Sequence, residues 1–189
     1  KNLADFAIMG ASLYKSLYPN DISKVALLNI GSEELKGNEI IKETYQLLND
    51  RKNQNFDFEG YIEGNELMNG KVNVIVSDGF TGNVALKTAE GTAKLFQSHL
   101  QDAFRSSILS RMGYFLSSLS MKSVRDRLDP RVHNCGILMG LNSLTVKCHG
   151  QSEYRGVSYA ADIIYSLLEN NMNEKIRDYV SEMHSKLIY

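Results

Sequence analysis

Two short, almost wholly apolar runs constrain the fold of this chain more than any other feature. They cover residues 25–30 and 72–76, and between them lie a segment with helical spacing, about 38–49, and a β-like stretch, 56–62. A continuous apolar run of this length is typical of a strand that is covered on both faces of a parallel sheet. The order strand, helix, strand therefore predicts an α/β fold with a three-layer α/β/α architecture.

Amphipathic helices are predicted around these strands, because apolar residues recur there at helical spacing. The predicted helices cover residues 3–17, about 81–105, about 153–170 and about 173–187, and two further β-like stretches cover 136–141 and 143–147.

Composition excludes several classes of protein. The 189 residues include 21 Lys and Arg against 22 Asp and Glu, so no global electrostatic footprint for nucleic acid is present. The two cysteines lack metal-ligand spacing and predict neither a disulfide framework nor a zinc site, which favours a reduced, cytoplasmic chain without metal or cofactor. The chain starts with Lys1 inside a predicted helix, which suggests a piece of a longer chain.

Three polar turns follow predicted strands. In open α/β sheets, ligands bind beyond the carboxyl ends of strands, where backbone amides at helix N-termini attract anions. The turns cover residues 31–38, 77–83 and 147–152. We expect a ligand site where they meet.

The second turn is the most informative. Thr81 can cap the following helix, Gly79 and Gly82 let the backbone approach an anion closely, and Lys87 lies one helical turn after Asn83. Because helical side chains lean toward the N-terminus, Lys87 can reach back to the same anion. An ordinary capped turn, with Asp78 in a capping or solvated role, is the alternative.

The third turn contains His149, which could bind phosphate or donate a proton to a leaving group. A capping or core histidine is an equal alternative. Its neighbour Cys148 has no activating base in the sequence, so a buried, inert thiol is favoured over a nucleophile.

Residues 103–125 contain four basic residues and no acidic one. We predict a helical hairpin at about 105–128, whose basic and apolar mixture suits contact with a membrane surface or an acidic partner. A helix pair packed in a dimer interface is the alternative. The apolar residues of this predicted tip are Leu109, Met112, Phe115, Leu116 and Leu119.

Several strings in this order resemble the PlsX-type phosphate acyltransferases of bacterial phospholipid synthesis. They are Leu28-Asn29-Ile30-Gly31, Lys36-Gly37-Asn38-Glu39, Ser77-Asp78-Gly79-Phe80-Thr81-Gly82-Asn83-Val84, Leu128-Asp129-Pro130, Leu138-Met139-Gly140-Leu141-Asn142 and Lys147-Cys148-His149-Gly150. The resemblance covers nearly the whole chain and identifies it with the C-terminal half of that family. It departs from the family's usual serine at Cys148 and from a common glycine at Ser143.

The resemblance implies a fold shared with phosphotransacetylases and isocitrate dehydrogenases, and transfer of a fatty acyl group from acyl carrier protein to inorganic phosphate. It also implies a homodimer, peripheral membrane association, and a site in a cleft between two domains. We expect an α/β domain in 1–130, and in 131–189 strands and helices that pack with the absent N-terminal half. A phosphotransacetylase that uses coenzyme A and a non-catalytic carrier-protein-binding fragment are the alternatives.

The same resemblance implies roles for the turn residues. The expected catalytic residues are Lys87, Asn83 and His149. The expected substrate-binding residues are Asp78, Gly79, Thr81, Gly82 and Asn142 around phosphate and thioester, with Gly31, Lys36 and Asn38 on the acyl or pantetheine side.

Overall fold

The computed structural model describes residues 2–50, 56–128, 135–148 and 154–185, in which strands and helices alternate as far as residue 105. The strands are β1 (Ser23–Asn29), β2 (Phe56–Glu63), β3 (Val74–Val76), β4 (Cys135–Leu138) and β5 (Thr145–Cys148). The helices are α1 (Asn2–Leu17), α2 (Glu39–Asn49), α3 (Gly79–Arg105), α4 (Ile108–Leu116), α5 (Ser118–Leu128), α6 (Tyr154–Glu169) and α7 (Met172–Ser185), with a short 3-10 turn at Gly64–Glu66.

The strands form two sheets. β1 is the centre of a three-stranded sheet in the order β2-β1-β3, and it pairs in parallel with both neighbours. β4 and β5 form a separate two-stranded sheet. Because β1, β2 and β3 are parallel, their carboxyl ends meet at one edge of the sheet.

Both faces of β1 are covered. Val25 and Leu27 point to one face of the strand and Ala26 and Leu28 to the other, and all four are buried. The helices α1 and α2 contact this sheet. A parallel sheet with helices packed on it confirms the predicted α/β class.

β3 is shorter than the predicted stretch 72–76 and starts at Val74. The cause is Asn73, whose backbone N–H donates to the Lys24 carbonyl at 2.9 Å while its side-chain Oδ1 accepts from the Lys24 backbone N–H at 2.8 Å. The Asn73 side chain thus takes the place of a backbone carbonyl as the acceptor for Lys24, and the strand begins at Val74.

The chain divides into two compact units. The first comprises Lys1–Gly79, Gly136–Lys147 and Ala160–Tyr189, and the second comprises Phe80–Cys135 and Cys148–Tyr159. The predicted division of this chain into 1–130 and 131–189 refers to packing with the absent N-terminal half and stays a prediction.

Two apolar clusters form the core of the first unit. In one, Leu3, Ala7 and Ile8 of α1 pack with Val25 and Leu27 of β1. In the other, buried residues of α6 and α7 pack against α1 and the β4–β5 connection; its members include Leu167, Met172, Ile176, Met9, Leu13 and Met139. Parts of α6, α7 and the β4–β5 connection therefore pack on the first helix of this same chain.

The second unit is helical around α3, α4 and α5. The end of α3 contacts α4 through the rings of Phe104 and Tyr114, whose centroids are 5.2 Å apart. α4 begins after Ser107, whose hydroxyl accepts from the backbone N–H of Ser110 at 3.0 Å, an ordinary N-cap. Two consecutive helices thus occupy the segment of the predicted hairpin.

Candidate functional site

The first two polar turns lie at the same edge of the parallel sheet. The last paired residues of β1 and β3 are Leu27 and Val76. Asn29 follows Leu27 by two residues and Asp78 follows Val76 by two residues, so both lie at the carboxyl ends of neighbouring strands. This edge, which we call the carboxyl edge, is where open α/β sheets bind ligands.

The loop after β1 is folded back onto the strand by Asn29. This buried side chain donates through Nδ2 to the Lys36 carbonyl at 3.1 Å and accepts through Oδ1 from the Ile30 backbone N–H at 2.9 Å. Gly37 has φ +90, and a Cβ atom there would overlap the Asn29 Oδ1. Only glycine fits beside Asn29 in this conformation.

A second contact ties the same loop to α2. The Tyr45 hydroxyl donates to Glu34 Oε1 at 3.5 Å, and the Tyr45 ring lies against that of Tyr61 with centroids 4.7 Å apart. Burial, followed by the negative charge of Glu34, raises the pKa of Tyr45 above its ordinary value of 10.0. Tyr45 therefore remains a protonated donor at neutral pH.

The predicted substrate-binding residues of this loop have distinct surroundings. Gly31 is buried, Lys36 is exposed, and Asn38 is the N-cap of α2, whose Oδ1 accepts from the Ile41 backbone N–H at 2.9 Å. The oxygen of Asn38 is thus used by its own helix. Their roles toward a substrate stay predictions.

The turn after β3 leads directly into α3, which begins at Gly79, two residues before the predicted start. Thr81 therefore lies within the first turn instead of capping it, and Asp78 occupies the position before the helix. The first turn contains no acidic residue, so its dipole favours an anion. A Cβ atom at Gly79 would meet nothing within 4 Å, which leaves the backbone there open to a ligand.

Lys87 forms an ion pair on its own helix. Its Nζ lies 2.8 Å from Glu90 Oε2, on the turn that follows, whereas the prediction has it reach back toward Asn83. Gly82 is half-buried, and Thr81, Asn83 and Lys87 are exposed. The role of Lys87 as a phosphate ligand stays a prediction.

Two predicted site residues remain, Asn142 and His149. Asn142 is exposed in the connection between β4 and β5, and among the described residues no hydrogen bond joins it to the loops at the carboxyl edge. His149 lies outside the described residues. Within the described ranges no group of three His, Cys, Asp or Glu side chains is placed to hold a metal ion.

Asn29 and Tyr45 position the loop, and the sequence did not single them out as functional residues. Asn29 carries a detectable signal, since a polar residue that ends an apolar strand must find buried hydrogen-bond partners. Tyr45 gives no such signal, because its position in an amphipathic helix is that of an ordinary core residue.

The predicted tip has the exposure that membrane contact requires. Its apolar side chains are between 60% and 84% exposed: Leu109, Met112, Phe115, Leu116 and Leu119. α3 and α4 contain no buried residue. None of the helices that the structure describes combines the length and apolar character needed to cross a membrane.

A parallel sheet flanked by helices places this protein in the α/β class, whose open sheets bind ligands beyond the carboxyl ends of their strands. Residues 1–175 match the family described as "Fatty acid synthesis protein". The chain belongs to this family, which confirms the predicted PlsX-type membership.

Curated relatives are phosphate acyltransferases. The one from Pelagibacter ubique is 56% identical over 180 residues, which cover 95% of this chain and 54% of the relative. Another, from Rhizobium leguminosarum, is 38% identical over 186 residues, covering 98% of this chain and 53% of the relative. The chain thus spans about half the length of the curated relatives that it matches.

Proposed function

We propose that this chain supplies the C-terminal half of a phosphate acyltransferase that moves a fatty acyl group from acyl carrier protein to inorganic phosphate. The observation that carries this proposal is the 56% identity with the phosphate acyltransferase of Pelagibacter ubique. The polar loops at the carboxyl edge support it, because an anionic substrate is expected there.

The reaction requires no covalent nucleophile from the protein. A phosphate oxygen attacks the thioester carbonyl carbon, a C–O bond forms, the tetrahedral oxyanion collapses, and the C–S bond breaks. The leaving thiolate, with an ordinary pKa near 8.5, takes up a proton from water. Catalysis then rests on holding the two substrates together and on stabilising the oxyanion.

The residues at the start of α3 suit the phosphate. The first turn of α3, which has no side chain at Gly79 and no acidic residue after Asp78, provides a positive dipole end. We assign Asn83 and Lys87 to the phosphate and the oxyanion, with His149 and Asn142 on the opposite wall. In this assignment Lys87 exchanges its ion pair with Glu90 for the substrate anion.

The loop after β1 suits the acyl donor. Asn29 and Tyr45 hold it in place, while Lys36 exposes an ammonium group for the phosphate of a pantetheine arm. Gly31 and Asn38 line this side.

A comparison of donors tests the reaction. The chain is joined to the part of the Pelagibacter relative that precedes the matched segment, and acyl phosphate is trapped as the hydroxamate. We expect at least tenfold more product from palmitoyl carrier protein than from acetyl coenzyme A. A preference for acetyl coenzyme A identifies a phosphotransacetylase, and binding of carrier protein without product identifies a non-catalytic module.

The chain alone provides the matched control. We expect it to give no hydroxamate with palmitoyl carrier protein and phosphate, because half of the site lies outside it. Turnover by the chain alone would contradict the assignment of the site to two halves.

The exposed tip supports peripheral attachment to the cytoplasmic membrane surface, where the lipid acyl phosphate would be passed on. Apolar side chains enter the interface while Arg105, Arg111 and Lys122 meet anionic headgroups. The protein is proposed to act as a homodimer, for which the exposed Leu95 and Phe96 of α3 provide apolar surface.

A further inference from the structure

The two cysteines of the chain meet at one end of the β4–β5 hairpin. Cys135 is the first residue of β4 and Cys148 is the last residue of β5, and their sulfur atoms lie 2.6 Å apart. The two strands are joined by residues 139–144 only, which is too short for a parallel crossover. We infer that they are antiparallel, which brings Cys135 and Cys148 to the same end of the hairpin, where their sulfur atoms meet.

The pair has the geometry that a disulfide requires. Opposite residues of an antiparallel pair have Cα atoms about 4.5–5.5 Å apart, inside the window of about 4.4–6.8 Å that disulfides occupy. Both cysteines are free thiols and both are half-buried, so that a small oxidant reaches them. Bond formation at about 2.05 Å needs a movement of the sulfur atoms of only about 0.5 Å.

We propose that Cys135 and Cys148 are an oxidisable dithiol that a hydroperoxide converts reversibly to an intrachain disulfide. This assignment is independent of the proposed acyl transfer. It departs from the inert thiol that the sequence predicts at Cys148, because the sequence does not show that Cys135 lies against it.

The hydrogen bonding assigns different roles to the two sulfur atoms. Cys135 donates its S–H to the Cys148 sulfur, and the Gly156 carbonyl lies 3.6 Å from the Cys135 sulfur as a second acceptor. The hydrogen bond with Cys148, followed by burial, raises the pKa of Cys135 to about 11. Because Cys135 is the donor in this hydrogen bond, we assign Cys148 as the sulfur that attacks.

The reaction balances with one equivalent of hydrogen peroxide. The Cys148 thiolate attacks a peroxide oxygen, the O–O bond breaks, and the hydroxide that leaves is protonated to water, which gives a sulfenic acid. The Cys135 sulfur then attacks the Cys148 sulfur, the S–S bond forms and the S–O bond breaks. Hydroxide leaves with the Cys135 proton as the second water. Both sulfurs are oxidised by one electron each and the peroxide is reduced by two.

The disulfide fixes the end of β5 just before His149 in the sequence. Any effect on turnover therefore depends on the proposed function, whereas the thiol chemistry does not. A thiol count tests the formation of the disulfide, and an activity assay on the same sample tests the proposed function. The two can therefore fail independently.

The experiment counts thiols in the intact chain. Because the chain has two cysteines, a thiol reagent such as dithionitrobenzoate reads this pair alone. We expect two reactive thiols in the reduced chain, none after hydrogen peroxide, and two again after dithiothreitol. Trypsin cleaves after Lys147, so the cysteines fall on different peptides, and the oxidised sample should give one crosslinked pair lighter by two hydrogens.

Single variants test the order of attack. In Cys135→Ser, dimedone should trap a sulfenic acid at Cys148, and in the native chain a limiting dose of peroxide with dimedone present should label Cys148 and leave Cys135 unlabelled. Persistence of two thiols in the peroxide-treated chain, or their loss only by disulfides between chains, would overturn the proposal. Preferential labelling of Cys135 in the native chain would overturn the assignment of Cys148 as the attacking sulfur.

Discussion

Asn29 donates its side-chain amide to the carbonyl of Lys36 at 3.1 Å and thereby closes the loop that follows the central strand. The same side chain accepts from the Ile30 backbone at 2.9 Å, so both ends of a buried amide are paired. The loop that we propose to bind the acyl donor is therefore held in place by Asn29, the last residue of β1.

Replacement of Asn29 should destabilise the chain. Asn29→Ala leaves the Lys36 carbonyl and the Ile30 N–H without these partners, and we expect a loss of about 1–3 kcal/mol in the free energy of unfolding. Urea denaturation measures it. The control Asn65→Ala removes an exposed amide and should stay within about 0.5 kcal/mol. Equal effects in the two variants would refute the closure of the loop by Asn29.

A comparison of alanine substitutions at Gly37 and Gly70 distinguishes the cost of a left-handed backbone from the cost of steric overlap. Both have positive φ, +90 and +66, but only at Gly37 would a Cβ meet another atom, the Asn29 side chain. Gly70→Ala should cost about 1–2 kcal/mol for the left-handed backbone. Gly37→Ala should cost clearly more in the same denaturation experiment. A smaller loss at Gly37 would contradict the described packing against Asn29.

Lys87 is expected to bind phosphate. In the chimaeric enzyme, Lys87→Ala should raise the KM for phosphate at least tenfold, because a full charge near the anion is lost. Lys94→Ala is the control, seven residues further along the same helix and exposed in the same way. An unchanged phosphate KM in Lys87→Ala would remove this residue from the site. His149→Ala provides the parallel test for the opposite wall.

The tip should hold the protein on anionic membranes. Phe115→Glu combined with Leu116→Glu places two charges among exposed apolar side chains, and flotation with phosphatidylglycerol vesicles should recover at least tenfold less protein. Met68→Glu, at another exposed apolar side chain, controls for the added charge. Undiminished flotation of the double variant would contradict membrane contact through the tip. A change from dimer to monomer would indicate instead that this surface is an interface.

The thiol of Cys135 should react slowly for as long as the Cys148 sulfur accepts its hydrogen bond. Its pKa is raised to about 11 from an ordinary 9.0, so its stabilising contribution is present below pH 9 and is lost as the pH rises through 11. At pH 9, alkylation of Cys135 by iodoacetamide should be severalfold slower than in Cys148→Ala, which lacks the sulfur acceptor but keeps the burial of Cys135. Mass spectrometry of the separate tryptic peptides measures both rates. Equal rates in the two proteins would contradict a hydrogen bond from the Cys135 thiol to the Cys148 sulfur.

The parallel sheet could be predicted from the sequence because strands covered on both faces leave unbroken apolar runs, as residues 25–30 do. The family could be predicted because several motifs keep their order along the chain. The predicted start of α3 at Thr81 lies two residues after the observed start at Gly79. The sequence does not decide between the two, because Thr81 is as good a cap as Asp78.

The side-chain partners could not be predicted in this way. Contacts such as Asn29 with Lys36 and Cys135 with Cys148 depend on how a loop folds back and how a hairpin pairs, and no periodicity encodes either. The pairing of Lys87 with Glu90 was missed for a different reason. Both a reach toward the helix start and an i,i+3 ion pair are open to an exposed lysine.

The stoichiometry of the chimaeric enzyme tests the central claim most directly. Radiolabelled phosphate is supplied with palmitoyl carrier protein, and acyl phosphate and free carrier thiol are counted in the same reaction. Acyl transfer to phosphate predicts one labelled acyl phosphate for each thiol released, and no thiol release without phosphate. Thiol release that continues without phosphate, and without labelled product, would identify a thioesterase and contradict the account.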